Sequence, residues 1–274
     1  MERSTGRSDV VIGLIDGPIA MDHADLVSSN IREVPGAQGA SCSVASSVAC
    51  THGTFVAGVL SARRGSSAPA ICPDCTLLVR PIFPESKTKH EDVPSASPQE
   101  LAMAIHGVVE AGARVINLSA ALLQPTSEGV RKLQQALDFA AARGAITVAA
   151  TGNQSTVGGS AITRHRWVIP VIGCDLQGRP TPESNLGSSI ARWGLAAPGE
   201  NIASLGADGK SKTFGGTSAA APFVTGAIAL LWSQFPSTTA SHIKLAMFQS
   251  GRRPRSIVPP LLDAWAAYQF MSRN

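Results

Sequence analysis

The amino-acid sequence predicts an α/β fold, with one doubly wound, mostly parallel sheet and helices on both of its faces. Short apolar runs alternate with helical patterns along the chain, an order that favours parallel pairing through right-handed crossovers. Hydrophobic residues make up 44% and charged residues 15% of the 274 residues, which is enough to bury a large core. No linker divides the chain, so we expect a single domain over residues 1–274 with its core at about 10–250.

Five apolar runs predict the strands of this sheet. Their length and continuity are typical of strands that are buried on both faces. They occupy residues 10–15, 77–79, 115–118, 145–150 and 168–172.

Helices are predicted between and after these strands. Ser97 and Glu100 form a capping box with Pro98 in the first turn, a pattern that predicts the start of a helix. Gly112 is expected to follow the end of this helix. The other predicted helices cover residues 128–143, 217–235, 238–249 and 261–270, and the predicted loops cover residues 65–70 and 81–97.

Charge and composition argue against two classes of partner. The formal net charge is +4 without any run of five like charges, so we expect no nucleic-acid partner. No stretch approaches 18 uninterrupted apolar residues, so we expect no membrane-spanning segment. The polar start of the chain lacks a secretory pattern, which makes the cytoplasm the expected location.

The five cysteines leave three chemistries open. Cys42, Cys50, Cys72 and Cys75 could bind zinc together, although no neighbouring histidine supports such a site. Local disulfides, 42 with 50 and 72 with 75, are the second alternative, and reduced, partly buried thiols are the third. The odd number of cysteines disfavours a fully paired secreted framework.

Asp16 and His52 are the first two candidate functional residues. Asp16 directly follows the first predicted strand, and functional groups of parallel sheets collect at the carboxyl ends of strands. A turn explains it equally well, since a glycine–proline pair follows. His52 stands directly before a short helical run that Gly53 and Gly58 flank, and these glycines permit close backbone approach. A lone histidine in such a place is more often structural, but the other five histidines have no comparable context.

Ser218 and Asn153 occupy positions that suit acyl transfer. Ser218 follows the pair Gly215–Gly216 and begins a long apolar helix, so we expect its hydroxyl beside free N–H donors and the positive end of the helix dipole. A role as helix cap would explain Ser218 but not the paired glycines. Asn153 follows the predicted strand at residues 145–150, where its amide could donate to an oxyanion or stabilise a turn.

Together these four residues predict covalent hydrolysis of a peptide bond. Asp16 would orient the imidazole of His52, and His52 would take the proton of Ser218. Ser218 would attack the peptide carbonyl and form an acyl-enzyme. The amide of Asn153 and the N–H of Ser218 would hold the oxyanion.

Eight short motifs follow one another between about residue 10 and residue 235. They are Ile15-Asp16-Gly17, His23-Ala24-Asp25-Leu26, His52-Gly53-Thr54, Val115-Ile116-Asn117-Leu118-Ser119, Ala149-Ala150-Thr151-Gly152-Asn153, Ser184-Asn185-Leu186-Gly187, Ala196-Ala197-Pro198-Gly199 and Gly216-Thr217-Ser218-Ala219-Ala220-Ala221-Pro222. In this order they resemble the subtilase family of serine proteases. The resemblance implies a subtilisin-like fold and an endopeptidase with Asp16, His52 and Ser218 as its catalytic triad and Asn153 in its oxyanion hole.

Within that family the chain is most similar to the PatA-like proteases that mature cyanobactins, which are small ribosomally made peptides. The stretch from Cys72 to Phe83 and the motif His52-Gly53-Thr54-Phe55 carry this similarity. It implies site-specific processing of a precursor peptide, such as removal of its leader, in the cytoplasm.

The resemblance also implies a substrate-binding cleft. The residues expected to bind the substrate are Ser119, Ala120, Ala121, Ala149, Ala150, Thr151, Gly152 and Thr217. The first three are expected to form an edge strand, to which the substrate adds as an extended strand. Residues 149–152 are expected to wall the pocket for the residue before the scissile bond.

Departures from the family pattern lie outside the proton-transfer groups. Gly17 replaces the usual threonine after the catalytic Asp, and Phe55 replaces the second histidine of the His motif. The loop that often holds calcium in subtilisins contains Arg63 and Arg64 here, and positive charge disfavours calcium. We therefore expect an active enzyme without a metal or another cofactor.

Several functions are compatible with this pattern. The favoured one is a selective endopeptidase that processes a precursor peptide, ahead of a broad-specificity degradative enzyme. An inactive subtilase-fold module that binds peptides is the alternative from another class, and the presence of all triad positions disfavours it. A macrocyclase is also disfavoured, because the intervals between Asp16, His52 and Ser218 leave little room for an inserted lid.

Overall fold

A parallel sheet forms the centre of the computed structural model, which describes residues 4–27, 30–35, 39–85, 95–119, 121–122, 127–249 and 256–273. The strands in chain order are β1 (Val11–Asp16), β2 (Ile31–Glu33), β3 (Thr76–Pro81), β4 (Ser95–Ala96), β5 (Val115–Leu118), β6 (Ala121–Leu122), β7 (Ile146–Ala150), β8 (Ile169–Cys174), β9 (Leu195–Pro198), β10 (Ile202–Leu205) and β11 (Ser211–Phe214). Seven of them pair in parallel in the order β2-β3-β1-β5-β7-β8-β9. This sheet confirms the predicted fold class.

Helices cover both faces of the sheet. In chain order they are α1 (Val48–Ser61), α2 (Pro98–Glu110), α3 (Ser127–Ala142), α4 (Ser188–Trp193), α5 (Thr217–Gln234), α6 (Ala240–Met247) and α7 (Ala264–Arg273). Residues of α1 and α5 share an apolar cluster with Leu14, whereas residues of α2 and α3 share one with Ile15. Consecutive side chains of β1 therefore enter two apolar layers, as expected for a strand buried on both faces. In the described part of the chain, every helix is too short or too polar to cross a bilayer.

The capping box predicted at Ser97 is present at the start of α2. The Oγ of Ser97 accepts a hydrogen bond from the N–H of Glu100 at 3.2 Å, and the Glu100 carboxylate accepts one from the N–H of Ser97 at 2.8 Å. Pro98 occupies the first turn. The two reciprocal bonds satisfy N–H groups that the start of a helix leaves unpaired, which is why the local sequence predicts this boundary correctly.

Other elements differ from the sequence-based prediction. The predicted strands and helices are shifted by a few residues, and the last helix begins at Ala264 instead of residue 261. The prediction lacks β2, α4, β9 and the antiparallel hairpin of β10 and β11. Three of the four residues of β11 are exposed, so the hairpin has little apolar patterning to reveal it. Part of the predicted loop 81–97 is strand at β3 and β4, and its residues 86–94 lie outside the described residues.

The end of β1 lies against α1 at two glycines. A Cβ atom on Gly17 would collide with the carbonyl group of Ala49, and one on Gly53 would collide with the carbonyl oxygens of Pro18 and Gly17, all well inside 3.0 Å. Glycine is the residue that permits such a close approach of two backbones. The approach brings the helix residue His52 next to the strand residue Asp16.

Gly53→Ala is expected to lower the free energy of unfolding by about 1–3 kcal/mol, since the added methyl group has to push α1 away from the turn after β1. Gly107→Ala in α2 is the matched control, because its Cβ would meet Val34 Cγ1 at an ordinary 3.5 Å. This control should instead be stabilising by about 0.5–1 kcal/mol. Urea unfolding followed by circular dichroism measures both values, and equal effects at the two positions would contradict the close approach.

Candidate active site

The side chains of Asp16 and His52 form a hydrogen bond where β1 meets α1. The Nδ1 of His52 lies 2.7 Å from Oδ1 of Asp16, and the N–H of Gly17 donates to the same oxygen at 2.7 Å. Asp16 is fully buried, whereas the side chain of His52 keeps 23% of its surface exposed. A buried carboxylate thus fixes the ring through one nitrogen and leaves Nε2 as the nitrogen available for chemistry.

This contact raises the pKa of His52. Burial by itself lowers that pKa, because a poorly solvated site disfavours the charged imidazolium. The negative charge of Asp16 and its hydrogen bond act in the opposite direction and outweigh burial. The pKa of His52 is therefore held above the ordinary histidine value of about 6.5.

Asp16→Asn is expected to lower the pKa of His52, since it removes the charge that opposes burial. An NMR titration of the imidazole signals of the variant and of the unmutated protein measures the shift. Because the folded pKa is raised, protonated His52 stabilises the fold below the unfolded pKa, and this contribution is lost as the pH rises through the folded pKa. An unchanged His52 titration in Asp16→Asn would contradict the assigned cause.

A cavity of about 470 Å³ opens beside this pair. Its described lining residues are Ser46, Val48, Thr51, His52, Phe55, Ser119, Ala150, Gly152, Asn153, Gln154, Phe214, Gly215, Thr217, Ser218 and Ala219. They come from α1 and the loop before it, from the carboxyl ends of β5 and β7 and the residues after them, from the end of β11, and from the start of α5. His52 and Ser218 therefore face one shared space, and Asp16 lies behind His52.

Ser218 occupies the first turn of α5. Gly216 is the residue that caps this helix, with φ of 88°, so the role of helix cap considered for Ser218 is wrong. The N–H groups of Ala219 and Ala220 donate to the carbonyl of Gly216, and that of Thr217 donates to Asn153. Within the described chain the N–H of Ser218 has no acceptor, and it points from the positive end of a helix.

The amide of Asn153 is held by Thr217. Its Oδ1 accepts hydrogen bonds from the N–H of Thr217 at 2.9 Å and from the hydroxyl of Thr217 at 3.0 Å. The hydroxyl oxygen of Thr217 also accepts from the N–H of Gly152 at 3.1 Å. Because Oδ1 already accepts two hydrogen bonds, Nδ2 is the part of the amide that can donate hydrogen bonds in the cavity.

A chain of buried hydrogen bonds links Ser119 to the core. The hydroxyl of Thr225 in α5 donates to Oδ1 of Asn117 at 2.9 Å, and Nδ2 of Asn117 donates to Oγ of Ser119 at 3.0 Å. All three residues are buried, with Asn117 and Thr225 at 0% exposure. The chain fixes the hydroxyl of Ser119 at the cavity wall.

The other residues expected to bind the substrate fall in different places. Ala150 and Gly152 line the cavity. Ala149 belongs to the apolar layer under α2 and α3, and Thr151 is buried as well, so neither side chain is among the lining residues. Ala120 lies outside the described residues.

Residue Ala121 is part of β6, which pairs with β4 in parallel. The register places Ser95 opposite Ala121. The segment expected to be an edge strand is therefore already paired along one side.

The sequence analysis missed the apolar wall of the cavity. Val48, Thr51 and Phe55 of α1 belong to this wall, together with Phe214 at the end of β11. The sequence did contain part of the signal for this wall, because Val48 lies four residues before His52 and Phe55 lies three residues after it. Residues at these spacings share one face of a helix.

A disulfide closes the loop that precedes α1. Cys42 and Cys50 are joined, eight residues apart, which was one of the predicted alternatives. Glu85 holds the same loop, because its carboxylate accepts hydrogen bonds from the N–H groups of Ser43 and Val44 at 2.7–3.0 Å. The loop and the start of α1 contribute wall residues of the cavity, so these contacts support one side of the candidate site.

The remaining cysteines do not extend this disulfide into a metal site. Cys72, Cys75 and Cys174 are buried free thiols, so the predicted pairing of 72 with 75 is wrong. The four-cysteine zinc site is wrong as well, because a disulfide uses two of its sulfurs. Among the described residues, one group of metal-ligating side chains comes close together, Cys42 and Cys50 with Glu85, and both of its sulfurs are engaged in that disulfide.

The fold and the cavity together define a class of protein. Asp16, His52, Asn153 and Ser218 follow each other in this chain order and meet near the carboxyl ends of parallel strands. This combination is typical of subtilisin-like serine endopeptidases.

Comparison with known proteins agrees with this class. Residues 7–257 match the model of the Subtilase family. The chain is 30% identical over 244 residues to Subtilisin DY of Bacillus licheniformis, an alignment that covers 86% of this chain and 81% of that protein. Among solved structures, the protease domain of PatA has a TM-score of 0.88 at 25% identity, with 100% of this chain and 98% of that chain covered. The Prenylagaramide maturation protease PagA has a TM-score of 0.83 at 25% identity, with 98% and 95% covered.

The chain belongs to the Subtilase family, and it is a subtilisin-like serine endopeptidase. The share of a relative's length that this chain covers differs from one relative to another. It spans 52% of the Thermostable alkaline protease of Halalkalibacterium halodurans, to which it is 29% identical.

Proposed function

We propose that Asp16, His52 and Ser218 form the catalytic triad of a protease that cleaves a precursor peptide at a defined site. The observation that carries this proposal is the 2.7 Å contact between Nδ1 of His52 and the buried carboxylate of Asp16. It fixes the ring of His52 beside the cavity that also contains Ser218. A histidine held in this way is a general base for a hydroxyl nucleophile.

The proposed reaction has two steps, which are acylation of Ser218 and hydrolysis of the acyl-enzyme. His52 takes the proton of the Ser218 hydroxyl while Oγ bonds to the peptide carbonyl carbon, and the proton is then delivered to the leaving amine as the C–N bond breaks. Water attacks the resulting ester in the second step, with His52 again as the base. The products are an acid and an amine, and Ser218 is regenerated.

The negative oxygen of each tetrahedral intermediate would be held by two donors. One is Nδ2 of Asn153, whose other end accepts from Thr217. The second is the N–H of Ser218, which has no acceptor in the described part of the chain. Donors that are already oriented need no reorganisation during the reaction, which makes them effective.

A precursor peptide is the proposed substrate, in preference to proteins in general. Solved relatives with the same fold carry the names Prenylagaramide maturation protease and Patellamide maturation protease. The cavity walls also favour selection, because they combine apolar side chains with polar groups that hydrogen bonds hold in place. We keep the cytoplasm as the proposed location, although the Cys42–Cys50 disulfide is more typical of an oxidising compartment.

Ser218→Ala is expected to abolish hydrolysis, with a loss of roughly 10⁴- to 10⁶-fold in kcat. The variant and the unmutated protein are incubated with a diverse peptide library, and the products are read by mass spectrometry. A fluorophosphonate should label the unmutated protein at Ser218 and fail to label the variant. Circular dichroism checks that the variant is folded.

The library also separates the candidate functions. Cuts at one short motif support the processing protease, and cuts in many unrelated sequences support a degradative enzyme. Folded protein that neither cuts nor reacts with the fluorophosphonate would overturn the triad. The chain would then be a peptide-binding module.

Asn153→Ala is expected to reduce kcat by roughly 10²- to 10³-fold and to leave KM nearly unchanged, since the amide acts on the oxyanion and not on the bound substrate. The matched control is Gln135→Ala, which removes an exposed amide from α3. Steady-state kinetics on one cleaved peptide gives both constants. A rise in KM with an unchanged kcat would place Asn153 in substrate binding.

A further inference from the structure

The turn after β7 carries Asn153 and has an unfavourable backbone conformation. Gly152, directly before Asn153, has φ of 98°, and Ser155, two residues after it, has φ of 54°. Glycine adopts positive φ readily, whereas a residue with a side chain such as serine adopts it at a cost in free energy. The turn therefore needs contacts from other segments to keep this shape.

Asn185 supplies such contacts through its side-chain amide. Its Oδ1 accepts hydrogen bonds from the N–H groups of Gln154 and Thr156, both at 3.0 Å. Its Nδ2 donates to the carbonyl of Thr151 at 3.0 Å and to Oε1 of Gln154 at 2.7 Å. Because an amide side chain has two donor hydrogens and two acceptor lone pairs, this one turn uses every hydrogen-bonding position of the Asn185 amide.

The backbone next to the Asn185 side chain extends this contact. The N–H of Asn185 donates to the carbonyl of Gly152 at 2.9 Å, and the N–H of Ser155 donates to the carbonyl of Glu183 at 2.9 Å. A Cβ atom on Gly152 would lie 2.6 Å from Nδ2 of Asn185. The amide of Asn185 is therefore packed directly against the backbone of the residue that precedes Asn153.

Asn185 is itself tied to the central sheet through its neighbour Ser184. The Oγ of Ser184 accepts a hydrogen bond from the N–H of Gly173 in β8 at 3.0 Å, and it lies 2.9 Å from the hydroxyl oxygen of Thr181. Ser184 is buried. These bonds fix the backbone of Asn185 on the sheet, so the turn that Asn185 holds is fixed to the sheet as well.

The amide of Asn153 is consequently held from two sides. Thr217 binds its Oδ1 from the start of α5, whereas Asn185 holds the backbone around it. Asn153 and Gln154 line the cavity, and Asn185 is not among the described lining residues. An oxyanion donor has to be placed to within a fraction of an ångström to be effective, so the direction of Nδ2 depends on both supports.

We propose that Asn185 is a positioning residue for the oxyanion hole. It holds the turn after β7 so that Nδ2 of Asn153 points at the oxygen of the tetrahedral intermediate, and it contacts neither the substrate nor the reacting atoms. Aspartate at this position would lack the two donors, and alanine would lack all four hydrogen-bonding positions. This inference rests on the proposed function, since it requires that Asn153 donates to the oxyanion.

The test is a double-mutant cycle that combines Asn185→Ala with Asn153→Ala. Asn185→Ala alone should lower kcat by roughly 10- to 50-fold and leave KM nearly unchanged, because it displaces a group that acts on the transition state. In the Asn153→Ala protein the same change should lower kcat by less than about twofold, because the group that it positions is gone. Steady-state kinetics on one cleaved peptide gives both constants for all four proteins. A merely structural role would instead lower kcat by the same factor in both backgrounds.

Two further variants guard against a general loss of structure. Asn185→Asp keeps the size of the side chain and both acceptors, and it replaces Asn185→Ala in the cycle if circular dichroism shows that the alanine variant is unfolded. It should show the same dependence on Asn153. The matched control is Asn30→Ala, which removes an amide that donates to the carbonyl of Pro73 at 3.0 Å outside the cavity. This control should keep kcat within about twofold of the unmutated protein.

The outcomes separate this inference from the proposed function. If the unmutated protein cuts no peptide and fails to react with a fluorophosphonate, the triad is overturned and the positioning role with it. If it cuts peptides but Asn153→Ala leaves kcat unchanged, the oxyanion role of Asn153 is overturned together with that of Asn185. If Asn153→Ala lowers kcat, while the Asn185 variant leaves kcat unchanged or lowers it equally in both backgrounds, the positioning role alone is overturned.

Discussion

The buried carboxylate of Asp16 imposes the main constraint on this molecule. It accepts from the N–H of Gly17 and from His52 through one oxygen, Oδ1, and its Oδ2 is buried without a partner among the described residues. A buried charge is costly unless it is compensated. His52 therefore has a structural role, because its imidazole is the main partner of this charge. The glycine at position 17, where the family usually has a threonine, removes a hydroxyl but permits the contact with α1.

The start of α5 is the second organised region, and it depends on small residues as well. Gly216 has φ of 88°, and a Cβ there would collide with Asn153. The same turn lets the N–H and hydroxyl of Thr217 reach the amide of Asn153. One backbone turn thus sets the start of the helix, the orientation of Asn153 and the position of Ser218. The rest of α5 runs through the core and keeps that turn in place.

The aromatic wall of the cavity has a different physical origin from the candidate catalytic groups. Hydrogen bonds near the ends of central strands place Asp16, His52 and Asn153, whereas packing of a peripheral hairpin on α1 places the pair of Phe55 and Phe214. The disulfide and Glu85 hold the loop on the other side of the same wall. Changes in these peripheral elements would alter the shape of the cavity without disturbing the pair of Asp16 and His52.

Features that depend on local patterns could be predicted from the amino-acid sequence. Central strands are recognisable because both of their faces are buried, and α2 is recognisable from the capping box at Ser97. The candidate residues Asp16, His52, Asn153 and Ser218 stand in short motifs next to glycines and strand ends, so their chemistry could be predicted. Packing in three dimensions was needed to show how β11 returns to α1 and joins Phe214 to Phe55. It was also needed to show that Cys42 pairs with Cys50 while Cys72 and Cys75 stay free. These contacts join segments whose own patterns are weak or permit several partners, and their geometry is set by packing across the whole fold.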